Sequence, residues 1–175
     1  MIAGDKVSAI VEEVVNKWHP ELSNAKVQIG VLFIISAGDS PPLKENGHPV
    51  EGTIKIVSVK DRVTKKFDVE MVLDGFEWHK GAHEHRIALV DHLISRLEIK
   101  KPKPKKNPKR KQKDDDQCDN SKSTFLVDSV GRPALKIRKG DWNAGIGFHE
   151  VAARHGSFSI EQRNLAKAKA ITTES

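Results

Sequence analysis

Apolar positions recur with distinct periods along the chain, and the longest such stretch runs from Trp78 to Glu98, WHKGAHEHRIALVDHLISRLE. Ile87, Val90, Ile94 and Leu97 follow one another at spacings of three and four, with Leu89 and Leu93 beside them. One broad stripe is therefore apolar, Arg86, Asp91, Ser95 and Arg96 lie off it, and the pattern predicts a single buried helix. Upstream, Val7, Ile10, Val11, Val14, Val15 and Trp18 mark one face of a helix from about Asp5 to Trp18, which His19-Pro20 stops. Lys26 to Ile35, KVQIGVLFII, is β-branched and almost continuously apolar, which predicts a central strand covered on both faces.

Thr53 to Lys60 and Phe67 to Leu73 alternate apolar with polar residues and predict two half-buried strands. Before them, SAGDSPPLKENGHPVEG collects turn formers and predicts a loop with a turn at Asn46-Gly47. Further on, Thr124 to Asp128 and Ala134 to Arg138 flank Val130-Gly131-Arg132-Pro133 as a hairpin would. Gly140 to Gly147 reads as loop, Phe148 to His155 as a short helix ended by Gly156, and Ile160 to Ala170 as a terminal helix. The order of elements places the chain in the α+β class, with a small mixed sheet packed on a central helix.

Composition changes this picture at one place. Residues 100–123, KKPKPKKNPKRKQKDDDQCDNSKS, hold no aliphatic or aromatic side chain and cannot offset the entropy of ordering themselves, so they are expected to be a disordered insertion. At 175 residues the chain then reads as one domain in two parts, 1–99 and 124–175. The formal charge is +6, and the insertion carries ten basic residues against four Asp; the remaining 20 basic and 20 acidic residues balance. Nine of those cations, Lys100, Lys101, Lys103, Lys105, Lys106, Lys109, Arg110, Lys111 and Lys113, are spaced by prolines that keep the segment extended. Such an arm binds DNA or RNA backbones without reading sequence, or it solubilises the chain, with Asp114, Asp115 and Asp116 partly neutralising it.

No run of 18 apolar residues exists, and the N-terminal MIAGDKVSAIVEE carries acids where a signal peptide would be apolar; a soluble, intracellular protein with no membrane partner is expected. The single Cys118 excludes an internal disulfide framework and a Cys-rich zinc site, and its acidic neighbours would raise its thiol pKa, which argues against a nucleophile. Gly145-Ile146-Gly147 is too short for a phosphate loop.

Several strings together resemble the phage metallopeptidase family, small zincin-like proteins akin to SprT-type proteases. They are Trp18-His19-Pro20-Glu21-Leu22, Val27 to Phe33, Phe67 to Leu73 followed by Trp78, Arg86 to His92, Ala134 to Arg138, and Phe148 to Gly156. The resemblance implies a helix ending in Asp-His-Glu-x-x-His and a third zinc ligand after the later strand, which falls at Gly140. Here only His92 stands; Leu93 replaces the general base, Arg96 the second ligand and Gly140 the third. A catalytic zinc needs about three protein ligands and a base for its water. Leu93 cannot accept a proton, and Arg96 is a permanent cation on the face of His92.

The other histidines offer no replacement by spacing. His85 and His92 share a face but stand about 10.5 Å apart along the axis; His83 and His85, like His149 and His155, point to different sides. His79, His85 and His92 could converge only with help from another element. Asp91-His92 is either a remnant proton-transfer pair or, as is commoner for a lone helix histidine, a hydrogen-bonded structural residue. The resemblance thus implies a virus-encoded protein of a bacterial cytoplasm with no zinc and no catalytic residue, acting by binding a host protein or nucleic-acid complex. The alternatives are an active zinc metallopeptidase with rearranged ligands and a nucleic-acid-associated accessory protein using the basic arm.

Overall fold

A computed structural model describes residues 4–35, 42–45, 47–102, 125–138, 148–163 and 166. The fold is α+β, with a mixed three-stranded sheet and several helices. Helix α1 (Gly4–Trp18) ends at His19, and Pro20 opens a short α2 (Pro20–Asn24), where its missing amide costs nothing. Strand β1 (Ile29–Ile34) follows, then β2 (Lys44–Glu45) and β3 (His48–Pro49), which pair with each other on either side of Gly47; Asn46 of the expected turn lies outside the described residues. Gly47 takes φ +83°, the left-handed backbone that glycine adopts without strain.

Strand β4 (Gly52–Ile56), helix α3 (Val59–Lys65) and strand β5 (Val69–Asp74) come next. The predicted strand Thr53 to Lys60 is thus corrected: it stops at Ile56. Ser58 caps α3, its Oγ accepting from the Asp61 amide at 3.2 Å and donating to Asp61 Oδ2 at 2.9 Å. Lys66 then ends the helix with a left-handed φ of +60°.

Sheet order is β1-β5-β4, with β1 parallel and β4 antiparallel to β5. The expectation that Lys26 to Ile35 is the central strand is therefore overturned; β1 lies at an edge and β5 in the middle. β5 hides every residue although it carries acids, because each acid is neutralised where it lies. Glu70 is flanked by Lys55 and Lys65, whose hydrogen bonds hold its carboxyl below the usual range. Asp74 caps α4 (Gly75–Lys80) by accepting from the Phe76 and Glu77 amides. Just before β5, the fully buried Asp68 accepts from Arg132 Nε at 3.1 Å and Nη2 at 2.7 Å, and from the Gln28 amide at 2.9 Å.

The single helix predicted from Trp78 to Glu98 is also corrected. It is broken into α4, α5 (His83–Ser95) and strand β6 (Leu97–Ile99), because Gly81 and Ala82 adopt extended backbone and β6 pairs with β7 (Leu135–Ile137). Pairing thus overrides the helical period at Leu97. The hairpin expected at 124–138 is short: around the Val127–Pro133 bridge the Asp128 amide donates to Arg132 O at 2.8 Å and the Ala134 amide to Leu126 O at 2.9 Å, and the second arm continues into β7, which pairs with β6. The β6–β7 pair joins the chain on either side of residues 103–124. Helix α6 (Phe148–His155), a 3₁₀ turn at Gly156–Phe158 and a helical turn over 160–163 complete the fold.

One core holds it together. Val7, Ile10, Val11 and Val14 of α1 meet Leu89, Val90, Leu93 and Ile94 of α5 and Val69, Met71 and Leu73 of β5. The core includes Leu97, Ile99 and Leu135 of the β6–β7 pair. No helix among the described residues is long and apolar enough to cross a membrane.

The Asp68 ion pair fastens the 125–138 segment to the sheet. Asp68→Ala strands the guanidinium of Arg132 beside the buried Arg62, which lies 3.8 Å from Asp68. A loss of about 3–5 kcal/mol, the usual result of breaking a buried pair from one side, is expected in a urea-unfolding titration.

Candidate functional site

Helix α5 carries polar groups on two flanks. Consecutive residues on a helix turn by about 100°, so Asp91 and His92 face different neighbours. Asp91 is not off the apolar stripe as the sequence pattern placed it; it is wholly buried, between α1, α5 and α6. Its Oδ1 meets His19 Nε2 at 2.7 Å, its Oδ2 meets His155 Nε2 at 2.8 Å, and Arg154 Nη1 donates to both oxygens at 3.2 and 3.1 Å. Burial pushes this carboxyl up, but the hydrogen bonds from His19 and His155 and the charge of Arg154 outweigh it and hold it below the usual range. Trp18 packs edge-on against His155, with ring centroids 4.8 Å apart. These residues border a polar cleft of about 280 Å³ lined by Trp18, His19, Ser95, Arg138, Glu150 and Arg154, among others.

The opposite flank holds the positions singled out in the sequence. His92 Nδ1 lies 2.7 Å from Glu161 Oε1, so it pairs with Glu161 and not with its neighbour Asp91. Burial raises the Glu161 carboxyl, yet the His92 hydrogen bond brings it below the usual range. Leu93 is buried in the core at 1% exposure. Arg96 reaches across to β2 and forks onto Glu45, with Nη1 to Oε2 at 3.0 Å and Nη2 to Oε1 at 2.6 Å. That hydrogen-bonded fork lowers the Glu45 pKa. His85 binds Glu51 at 2.7 Å, and Arg163 forks onto the same carboxylate at 2.7 and 3.0 Å. His79 is exposed, so His79, His85 and His92 do not converge. Lys100 and Lys101 are exposed at the start of the basic segment. Gly140, Cys118 and the cations Lys103, Lys105, Lys106, Lys109, Arg110, Lys111 and Lys113 lie outside the described residues, as do the Gly140 to Gly147 loop and most of the predicted terminal helix.

His19, Arg154 and His155 were not found by sequence reasoning, which compared histidines by spacing within one helix. One signal was present. A carboxylate inside Ala88-Leu89-Val90-Asp91-His92-Leu93-Ile94 sits in a run too apolar to be solvated, and buried acids require partners.

The family model described as "Putative phage metallopeptidase" matches residues 1–170, and the chain belongs to this family. No curated protein and no solved structure matches the chain. The family's name implies a metal, and the described residues do not fit one. Arg96, where the resemblance puts the second ligand, is a cation forked onto Glu45, and Leu93, where it puts the base, is a core leucine. Among the described residues, no three His, Cys, Asp or Glu side chains gather as a metal site.

The Asp91 cluster is instead a structural clamp, and its removal is measurable. Asp91→Ala leaves Arg154 and two imidazoles facing an emptied site and is expected to cost about 3–5 kcal/mol at neutral pH. Because the folded carboxyl titrates below its ordinary value near 4, its contribution is fully present above that pH and fades as pH falls through the lowered value. The stability gap between wild type and Asp91→Ala, followed by urea unfolding, should therefore narrow below about pH 4.

Proposed function

We propose that this member of the phage metallopeptidase family has a zincin-like fold from which the zinc chemistry has been lost, and that it acts by binding. The observation that carries this reading is the Arg96–Glu45 fork. A divalent ion at His92 would have to displace a guanidinium from a two-pronged charge-assisted bond and would then face that cation at close range. Hydrolysis also needs a base near the water, and Leu93 packs among Leu73 and Ile94 in the core. The partner would be a host protein or a nucleic-acid complex in the bacterial cytoplasm.

The purified protein should carry no stoichiometric zinc and leave a general protein substrate intact. Elemental analysis giving one zinc per chain, lost together with peptidase activity in His92→Ala, would favour rearranged ligands and sink the proposal. Restoring the family pattern by Leu93→Glu, Arg96→His and Gly140→His should create a zinc-dependent rise in Tm that neither single His change produces, because chelation requires converging ligands.

A second reading is favoured by the concentration of the charge excess in residues 100–123, which makes the arm the main source of any phosphate affinity. If about six of its cations engage a duplex, log affinity against log salt should have a slope near −5, roughly a thousandfold loss between 50 and 200 mM. Replacing 100–113 by a Gly/Ser linker should abolish that binding with little change in Tm. A large fall in Tm would make the segment structural, and unchanged affinity would move the contact to the folded body.

A further inference from the structure

Among the described residues, β1 is an edge of the sheet with no strand on its outer side. Among the described residues its hydrogen-bonded neighbour is β5 alone, whereas the other edge strand, β4, lies beside α5 and β7. Gln28 O accepts from the Val69 amide, and the parallel ladder continues from there through Gly30, Leu32 and Ile34. Alternate residues of a strand point their amides and carbonyls to opposite sides, so those of Ile29, Val31, Phe33 and Ile35 face outward.

Proteins ordinarily blunt such an edge with a charge, a proline or a bulge. Here 31% of the chain is charged, yet Ile29 to Ile35 contains neither a charged residue nor a proline. β1 and β5 pair residue for residue from Ile29–Val69 to Ile34–Asp74, without a bulge. The face of the sheet away from the helices is apolar at the same edge, with Leu32 47% and Ile34 41% exposed, and Ile35, just past the strand, is 65% exposed.

We propose that β1 pairs antiparallel with β1 of a second copy of this chain, making one continuous six-stranded sheet across a two-fold axis. A neutral strand meets its own copy with no like-charge repulsion, and it offers a charged peptide no counter-ion. An antiparallel pair of identical strands is also self-complementary, as a closed dimer requires. With the axis at Phe33, the outward groups of Val31 meet those of Ile35 in the second copy, and Phe33 meets Phe33. Leu32 then lies across from Ile34 of the other copy on the outer face, where cross-strand pairs of aliphatic side chains stabilise a sheet. The interface thereby buries the apolar side chains that stand exposed on one copy.

The test is the solution mass of the intact protein. Light scattering should give twice 19.5 kDa for wild type. Leu32→Lys/Ile34→Lys puts cations opposite cations and should give folded monomers. Leu32→Glu/Ile34→Glu should do the same, and mixing the two variants should restore a dimer containing one of each. Wild type that stays at 19.5 kDa at its highest soluble concentration overturns the proposal, whether or not the edge then captures an extended peptide. A dimer that survives the lysine variant overturns it as well, by placing the contact elsewhere. Hydrogen exchange gives a reading that needs no variant. The Val31 and Phe33 amides should be protected in concentrated wild type and lose protection on dilution, and fast exchange at every concentration would refute the pairing.

Discussion

A carboxylate with no exposed surface has to be compensated from within the protein, and at Asp91 that requirement fixes how three helices meet. His19 comes from the end of α1, Arg154 and His155 from α6, and none of them is near Asp91 in sequence. Each contact is short, so the helices cannot slide by even half a turn without exposing the buried charge to an apolar wall. The hydrophobic stripe of α1 would pack acceptably against α5 in several registers, since Val7, Ile10, Val11 and Val14 are similar in size and shape. The clamp removes that freedom. A buried ion pair adds little net stability but penalises every arrangement in which it is broken, which suits a role in choosing one packing.

The same helix turns its other flank to a chain of ion pairs: Glu51 with His85 and Arg163, His92 with Glu161, and Arg96 with Glu45. All three glutamates have depressed pKa values despite desolvation, so the carboxylate form is the one these contacts favour. The pairs draw together the turn before β4, the 160–163 turn and β2 around α5. Guanidinium and imidazole groups thus join segments that are separate in sequence.

Much of the architecture was legible in local pattern. The α1 face, the turn at Gly47 and α6 follow from apolar spacing and terminator residues. What was not legible is pairing. Nothing in KVQIGVLFII distinguishes an edge from a centre, and Glu70 suggested a half-exposed strand because periodicity does not show that Lys55 and Lys65 neutralise it. α3 could have been read from Ser58-x-x-Asp61, whose capping contacts form as that motif allows. The residues at Asp91 escaped for the same reason as the sheet order: they converge through tertiary structure and share no helix or spacing.

Helix α5 has two sets of side chains with different duties. Val90 and Ile94 serve the core, Asp91 serves the clamp, and the flank with His92 and Arg96 serves neither of them. Changing Arg96 alone leaves Glu45 without its fork and His92 still held by Glu161, so a lone new histidine would disturb the ion pairs before it gained enough ligands to hold a metal. A flank locked in this way has a fixed shape and a fixed pattern of charge.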